Sequence, residues 1–320
     1  MIARLRPFGN VIGLAIAWAL LFFGFGFAQG GSFLSFDSFE LILRQSTIVG
    51  LAAVGMTFVI MAAGIDLSVG SMVALVSVVI AYVVKAGHDP LVALGAGLAA
   101  GVLCGALNGL LVTKLKVTPF IVTLGTFLAL RGAAKGLANE QKIDPPSVTW
   151  ISDMLRKVPD ERAWMLLPPG VWVLVLLAVA AMVWLRYTRH GRHIQAVGSN
   201  EMAARLCGIP VDRTKVAVYA FMGLCAGLSG AATFGRLAVG DPSTAQGLEL
   251  QVIAAVVIGG ASLMGGTGSI AGTLIGALMM STIASGSVAL GWPNWVQEIV
   301  TGAIIVAAVA LDRVRHRRAG

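Results

Sequence analysis

Six charged or amide side chains stand inside or beside otherwise apolar runs of this sequence. Such groups cost at least about 2–3 kcal/mol each in hydrocarbon, so they are expected to face a bundle interior or water. Two of them, Glu249 and Gln251, fall at the predicted outer edge of a membrane helix, where they would line an entrance. A third, Glu298, needs a cation from another helix, and Arg131 is one candidate. We therefore predict a polar translocation pathway with these candidates: Asp66, Asn108, Glu249, Gln251, Gln297 and Glu298.

Asp66 has a second interpretation. It lies in the sequence GIDLSVG, residues 64–70, between two apolar runs. An Asp followed by Leu-Ser at that position is typical of a helix N-cap, because its side chain accepts a backbone N–H of the first turn. The residue is therefore expected either to start the third helix or to line the pathway.

The sequence contains no pattern typical of an enzyme. The glycines of GGTGSIAG, residues 265–272, do not have the GxGxxG spacing, and no GxxxxGK[ST] phosphate loop occurs. The three cysteines form no CxxC pair, and the four histidines are not spaced as metal ligands. We expect no catalytic residue, no metal and no cofactor on this chain. If ATP drives transport, a separate polypeptide hydrolyses it.

The composition indicates a polytopic membrane protein. Of the 320 residues 57% are hydrophobic and 12% are charged, against roughly 25% charged residues in soluble domains. The predicted fold class is an all-α membrane helix bundle in one domain, residues 1–320. The net charge of +8 sits at the ends of apolar runs, which argues against a nucleic-acid partner.

The apolar runs predict about ten transmembrane helices. The first covers residues 8–28 and is expected to be retained rather than cleaved as a signal peptide. The second covers residues 45–64, after a polar interval at 32–44. Residues 250–297 contain no charge, and this run is too long for one helix across a core of about 30 Å. It should fold back at residues 264–268.

The distribution of Lys and Arg predicts the orientation. With ten spans both termini lie on one side, and most of the 23 basic residues in short loops and tails fall on that side. The positive-inside rule then makes both termini cytoplasmic. Residues 138–167 become a periplasmic loop, with room for a short interfacial helix.

Glycine recurs at every fourth residue in three predicted spans. Small residues at this spacing let helix backbones approach closely in lipid, so these positions are expected to be packing contacts. The two longer series also suggest an inverted repeat of spans 2–5 and 7–10 around an odd sixth span. The positions are Gly97, Gly101, Gly105 and Gly109; Gly223 and Gly227; and Gly268, Gly272 and Gly276.

One mildly polar, helix-forming segment lies between two long apolar runs. It is GSNEMAARLCGIP, residues 198–210, and basic residues flank it on both sides. It should face the cytoplasm and offer a surface to a partner. Asn200 is expected to cap its helix, Gly208 and Pro210 to end it, and Ala203 and Ala204 to permit close docking.

Three stretches resemble the permease subunits of bacterial ABC importers for monosaccharides, the ribose/xylose/arabinose group. They are GMTFVIMAAGIDLSVGSMVAL, GRHIQAVGSNEMAARLCGIPVDRTKVAVYAF and ELQVIAAVVIGGASLMGGTGSIAGTLIGAL, at residues 55–75, 191–221 and 249–278. The resemblance extends over nearly the whole chain and is weakest at 138–167. It implies two permease copies in the bacterial inner membrane, ATPase subunits on the cytoplasmic side, and a periplasmic binding protein that delivers a sugar.

The resemblance also implies a coupling segment at residues 191–212, which docks in a groove of the ATPase. The residues that it assigns to this contact are Gly198, Asn200, Glu201, Ala203, Ala204, Arg205 and Gly208. Three alternatives stay open: a permease for branched-chain amino acids, a stand-alone secondary transporter, and a structural membrane subunit. The GIDLSVG sequence favours the carbohydrate branch.

Overall fold

The computed structural model describes residues 6–146, 149–158 and 164–317, and this part of the chain is helical and contains no β-strand. Its α-helices are α1 Arg6–Ala28, α2 Phe36–Met61, α3 Val69–Lys85, α4 Pro90–Leu115, α5 Pro119–Leu137, α6 Pro169–Tyr187, α7 Arg189–Ser199, α8 Glu201–Leu206, α9 Val211–Leu237, α10 Leu248–Ile258, α11 Ile270–Ala289 and α12 Asn294–Arg317. A short 3₁₀ helix, Trp150–Asp153, lies in the connection between α5 and α6.

Seven of these helices are long and apolar enough to cross a membrane: α1, α2, α4, α5, α6, α9 and α11. The helix α3, the helix α10 and residues 294–310 of α12 are apolar but shorter. The centre of the bundle is formed by α2 and α9, which contact each other. Around them α9 contacts α3 and α4, and α2 contacts α6, α10 and α11. The first helix packs on α11, where the Trp18 indole donates to Thr282 Oγ1 at 3.0 Å.

The start of α2 differs from the sequence-based expectation. The interval 32–44 was predicted to be polar and outside the second span, but the helix already begins at Phe36. The Ser35 side chain caps it by accepting the Ser38 N–H at 3.2 Å, which satisfies one of the free donors of the first turn. Glu40 and Arg44 then pair along the helix at 3.7 Å, so the polar residues are accommodated without ending it.

The connection between α10 and α11 contains the predicted reversal. The helix α10 has only 11 residues, about 16 Å at 1.5 Å per residue. A non-helical segment, residues 259–269, carries the chain onward to Ile270. Within it Gly265 and Gly266 have φ values of +89° and +79°, a backbone conformation that residues other than glycine rarely adopt.

The glycines at four-residue spacing lie where helix backbones cross. A Cβ atom added to Gly105 of α4 would lie 2.9 Å from the Cα atom of Gly223 on α9. One added to Gly109 would lie 2.8 Å from the Cα atom of Val216. These approaches hold α4 against α9 along its length, since neither helix has a side chain in the way.

A second close crossing joins α10 and α11. A Cβ atom added to Gly272 would overlap the carbonyl oxygen of Gly259, and one added to Gly276 would overlap that of Ala255. By contrast, Gly268 faces the Met61 side chain. The end of α10 and the start of α11 are thus in direct backbone contact.

Candidate functional site

A cavity of about 410 Å³ opens among α2, α9, α10, α11 and α12, beside the loop of residues 238–247. Its size is at the lower end of small-molecule sites, which span about 300–1,000 Å³. Among the described residues that line it, most are polar, none is acidic and one is cationic. The polar ones are Gln45, Thr233, Arg236, Thr244, Gln246, Gln251, Ser281, Ser285 and Gln297.

Hydrogen bonds, one between helices and one to the connection before α12, orient two of the cavity amides. Ser285 Oγ donates to Gln45 Oε1 at 2.8 Å, which joins α11 to α2. Gln297 Nε2 donates to the Trp292 carbonyl at 2.9 Å. These bonds leave the Gln45 N–H groups and the Gln297 carbonyl oxygen available, because each amide has two donors and an acceptor.

The loop beside the cavity is held by Arg131 of α5. Arg131 is only 8% exposed, and its Nη1 atom donates to the carbonyl oxygens of Pro242 at 2.9 Å and Thr244 at 2.6 Å. Glu249, also predicted to be a pathway residue, accepts the Gly247 N–H at 3.2 Å and is buried. It therefore shapes the start of α10 instead of lining the cavity.

The expected pair between Glu298 and Arg131 is wrong. Glu298 is exposed on α12, while the charges acting on Arg131 are those of Glu249 and Asp241. The neighbouring Gln297 lies in the cavity instead. One residue along a helix rotates the side chain by about 100°, which is enough to separate the two positions.

Asp66 and Asn108 belong to a separate buried polar cluster. Asp66 Oδ1 accepts the Ser68 N–H at 2.9 Å and the Ser68 hydroxyl at 2.6 Å. Asn108 Nδ2 donates to the same hydroxyl at 2.9 Å. The N-cap of α3 is Ser68, so the interpretation of Asp66 as that N-cap is wrong. The acid instead closes the turn before the helix, as Asx residues commonly do.

The segment predicted to dock on an ATPase, residues 191–212, is called the docking segment below. It contains most of α7 and the whole of α8, which are joined at Asn200. Asn200 caps α8, because its Oδ1 atom accepts the Ala203 N–H at 2.9 Å. Gly208 ends the helix at a φ of +79°. The N–H groups of Gly208 and Ile209 donate to the carbonyls of Arg205 and Ala204 at 3.1 and 3.0 Å, the two bonds of a Schellman motif.

The two alanines expected on the docking face differ in exposure, because they lie on different faces of α8. Ala203 is exposed, but Ala204 is 4% exposed and packs with Val197 and Val211. The expectation that Ala204 is open to a docking partner is therefore wrong, since consecutive helical residues point about 100° apart. The exposed face carries two large apolar side chains instead, Met202 at 75% and Leu206 at 85% exposure.

Charged side chains fasten α8 to the start of α9. Lys215 pairs with Glu201 at 2.7 Å, and Arg205 contacts both Glu201 at 3.3 Å and Asp212 at 2.9 Å. The hydrogen bond from Lys215 lowers the pKa of the Glu201 carboxyl below its ordinary value. These partly exposed pairs are each worth only about 0–1 kcal/mol, but together they fix how α8 is oriented.

Gly198 lies at a crossing of three backbone segments. A Cβ atom added there would overlap the carbonyl oxygen of Met61, the last residue of α2, and would lie 2.6 Å from the Gly266 nitrogen. The Gly266 N–H donates to that same Met61 oxygen at 2.9 Å. The docking segment thus touches the end of α2 and the α10–α11 connection directly, without an intervening side chain.

Sequence reasoning placed two glutamines of the cavity, Gln251 and Gln297, among its candidates and missed most of the others. The sequence marks Gln45 only as the start of a predicted span, and Ser281 and Ser285 lie in a run typical of an ordinary membrane helix. Serine and threonine hydroxyls can donate to carbonyls of their own helix, so their presence in an apolar run does not indicate a binding site. The sequence feature that could have indicated the cavity is its four glutamines in weakly charged stretches, Gln45, Gln246, Gln251 and Gln297.

Comparisons with known proteins identify relatives along nearly the full chain. Residues 38–309 match a family described as branched-chain amino acid transport system / permease component. The ribose import permease protein of Escherichia coli (strain K12) is 41% identical, covering 89% of this chain and 88% of that protein. The xylose transport system permease protein of the same organism is 36% identical over 95% and 91% of the two chains. The fructose import permease protein of Rhizobium meliloti is 36% identical over 93% and 84%. No solved structure matches the chain.

Proposed function

The chain belongs to the permease-component family of branched-chain amino acid transport systems, and from its sugar-permease relatives we propose that it is the membrane subunit of an ABC importer for a monosaccharide. It is a multi-pass protein of the bacterial inner membrane. The relatives that support this are named as ribose, xylose and fructose permeases. They favour the sugar branch over the amino-acid branch, although the family takes its description from the latter.

The cavity is the observation that carries this function. An amino acid brings both a carboxylate and an ammonium group, and burying an ammonium without a carboxylate partner is costly. The lining found in the described part of the chain has one cation, Arg236, and no acid. Neutral amides and hydroxyls match the hydroxyl groups of a sugar, each of which donates and accepts.

We propose ten membrane crossings, made by the seven long apolar helices and the three shorter ones. Both termini and the coupling segment, residues 191–212, are then cytoplasmic, and residues 138–167 are periplasmic. Ile143 and Gly240 exchange two backbone hydrogen bonds of 2.9 Å. This bridge supports placing the loop 138–167 at the same end of the bundle as the loop beside the cavity.

An inverted repeat is part of the same proposal. If α2–α5 correspond to α9–α12 in order, the contact of α4 with α9 corresponds to that of α11 with α2. The contact of α3 with α5 likewise corresponds to that of α10 with α12. Paired contacts of this kind are what two equivalent halves would produce, and α6 would be the odd span between them.

The proposed partners follow from the exposed surfaces and the family. ATPase subunits dock on α8, whose exposed Met202 and Leu206 side chains form an apolar face between charged residues. A second permease copy and a periplasmic binding protein complete the importer. This chain is a transport subunit, binds no cofactor, and leaves ATP hydrolysis to its partners.

The function is tested by ATP-dependent uptake of labelled ribose, xylose and fructose into proteoliposomes that contain the chain with its ATPase and binding protein. The informative variant is Ala203→Glu, because Ala203 is exposed on α8. The added charge and bulk should abolish copurification of the ATPase and reduce uptake at least about tenfold, equivalent to 1.4 kcal/mol. Gln141→Glu, which adds a charge at an exposed position of another loop, serves as the control.

Three outcomes would contradict parts of the proposal. Uptake without ATPase or ATP would indicate a stand-alone secondary transporter. Uptake of leucine but of none of the sugars would indicate the amino-acid branch. Normal uptake by the Ala203→Glu variant would show that the docking face lies elsewhere.

A further inference from the structure

The cavity contains hydrogen-bonding groups that the protein itself does not use. Ser281 is 4% exposed, yet its hydroxyl has no partner in the part of the chain that the structure describes. Gln251 makes no side-chain hydrogen bond to any described residue, and Gln45 uses only its oxygen. Buried polar groups are normally paired, so the unpaired Ser281 hydroxyl indicates a ligand or ordered water in the cavity. The free amide groups of the half-buried Gln45 and Gln251 line the same volume.

The unpaired groups come from three helices and surround a common volume. Gln45 lies on α2, Gln251 on α10 and Ser281 on α11. Between them stand apolar side chains, among them Leu41, Leu248 and Val288. A sugar ring has hydroxyl groups around its edge and C–H groups on its faces. Alternating amides and aliphatic surfaces suit both parts of such a ligand.

We propose that this cavity is a sugar-binding site of the permease itself, in which Gln45, Gln251 and Ser281 bind the hydroxyl groups of a neutral monosaccharide. The proposal rests on the proposed import function and deepens it. The bond between Ser285 and Gln45 fixes the Gln45 amide so that its N–H groups donate to the ligand. Because no lining residue of the described chain is acidic, the site selects against ammonium-bearing solutes after the binding protein has released its cargo.

The test uses the complete importer in proteoliposomes, with labelled ribose, xylose and fructose as probes. Gln251→Met and Gln45→Met remove an amide while keeping side-chain length and volume, which limits damage to packing. Each variant should still copurify with the ATPase and should lower the uptake rate about three- to tenfold, the effect of one or two lost hydrogen bonds. The double variant should lose more than either single one. Gln141→Met, at an exposed site outside the cavity, should transport normally.

The outcomes separate this proposal from the proposed function. If the wild-type importer takes up none of the three sugars, the import function for these monosaccharides fails. If the wild type transports a sugar and both single variants and the double variant do so at the same rate, the sugar site assigned here is wrong. Saturation-transfer NMR of ribose with the purified permease adds a readout without turnover, in which the wild-type signal should disappear in the double variant.

Discussion

Replacing Gly198 with alanine should reduce the sugar transported per ATP hydrolysed. The added methyl group would overlap the Met61 carbonyl oxygen and lie 2.6 Å from the Gly266 nitrogen. Both atoms belong to the backbone, so no side-chain rotation relieves the overlap. The docking segment has to move away from α2 and from the α10–α11 connection, which would separate the proposed ATPase contact from the helices around the cavity.

The size of the effect follows from the atoms involved. Overpacking at a rigid site costs about 1–3 kcal/mol. Losing the 2.9 Å bond from Gly266 to Met61 adds about 1 kcal/mol. A total of about 2–4 kcal/mol is enough to change the preferred arrangement at this junction more than tenfold. The docking face on α8 is unchanged, so the ATPase should still bind.

The assay combines ATP hydrolysis, sugar uptake and thermal unfolding of the reconstituted importer. The Gly198→Ala variant should hydrolyse ATP with a sugar-to-ATP ratio at least about fivefold below that of the wild type, and should unfold several degrees lower. Gly132→Ala is the matched control, because a Cβ atom at Gly132 on α5 meets no atom within 4 Å. The Gly132→Ala variant should keep the wild-type sugar-to-ATP ratio and unfolding temperature. If the Gly198→Ala variant keeps the wild-type sugar-to-ATP ratio, the reasoning is refuted. If it loses only stability, the contact of Gly198 with Met61 and Gly266 serves packing and not coupling.

Three further changes test the surrounding structure. Asn200→Ala should fray α8 by removing its cap, at a cost of about 1 kcal/mol, seen as faster amide exchange in that helix. Acidification should loosen the Glu201–Lys215 pair, because the pKa of Glu201 is lowered in the folded state. The stabilisation from this pair, below about 1 kcal/mol since the pair is partly exposed, is present above the ordinary glutamate pKa and is lost as the pH falls through the lowered pKa. The Glu201→Gln variant should not show this loss. Ser68→Ala should lower the thermal midpoint strongly, since it leaves buried Asp66 short of a donor at a cost of about 1–3 kcal/mol. Ser243→Ala removes an equivalent bond to Asp241 and should cost less, because Asp241 is only partly buried and Lys142 still pairs with it at 3.3 Å.

Composition and apolar runs predicted the helical class and the approximate position of most helices, and the resemblance of three sequence stretches to sugar permeases predicted the family. The predictions failed where a local interaction outweighed the pattern. The polar residues at 36–44 predict a loop, but the structure has the start of α2 there. The Ser35 cap and the Glu40–Arg44 pair both stabilise this helical turn. The cap of α8 at Asn200 was predictable because its whole mechanism lies within four residues.

The composition of the cavity was only partly predictable, for a different reason. Its lining comes from five helices that are up to 256 residues apart in sequence, from Leu41 to Gln297, and which side chains converge is decided by how those helices pack. Asp66 and Glu249 are the conspicuous acids of the sequence, yet each uses one carboxylate oxygen to accept hydrogen bonds from an adjacent turn, and neither lines the cavity. The other oxygen of each is buried without a partner in the described part of the chain. Neutral amides were therefore the better guide to a site for an uncharged solute.

The two proposed sites are connected through one helix. The last residue of α2, Met61, contacts Gly198 of the docking segment, and Gln45 of the same helix lies in the cavity. The two residues are 16 positions apart, about 24 Å along an α-helix, and nearly every residue between them is buried. Close-packed interiors have low compressibility and transmit strain. We therefore expect a displacement of the docking segment at Met61 to reach the Gln45–Ser285 bond, which would give the proposed ATP-driven movement a direct route to the groups proposed to hold the sugar.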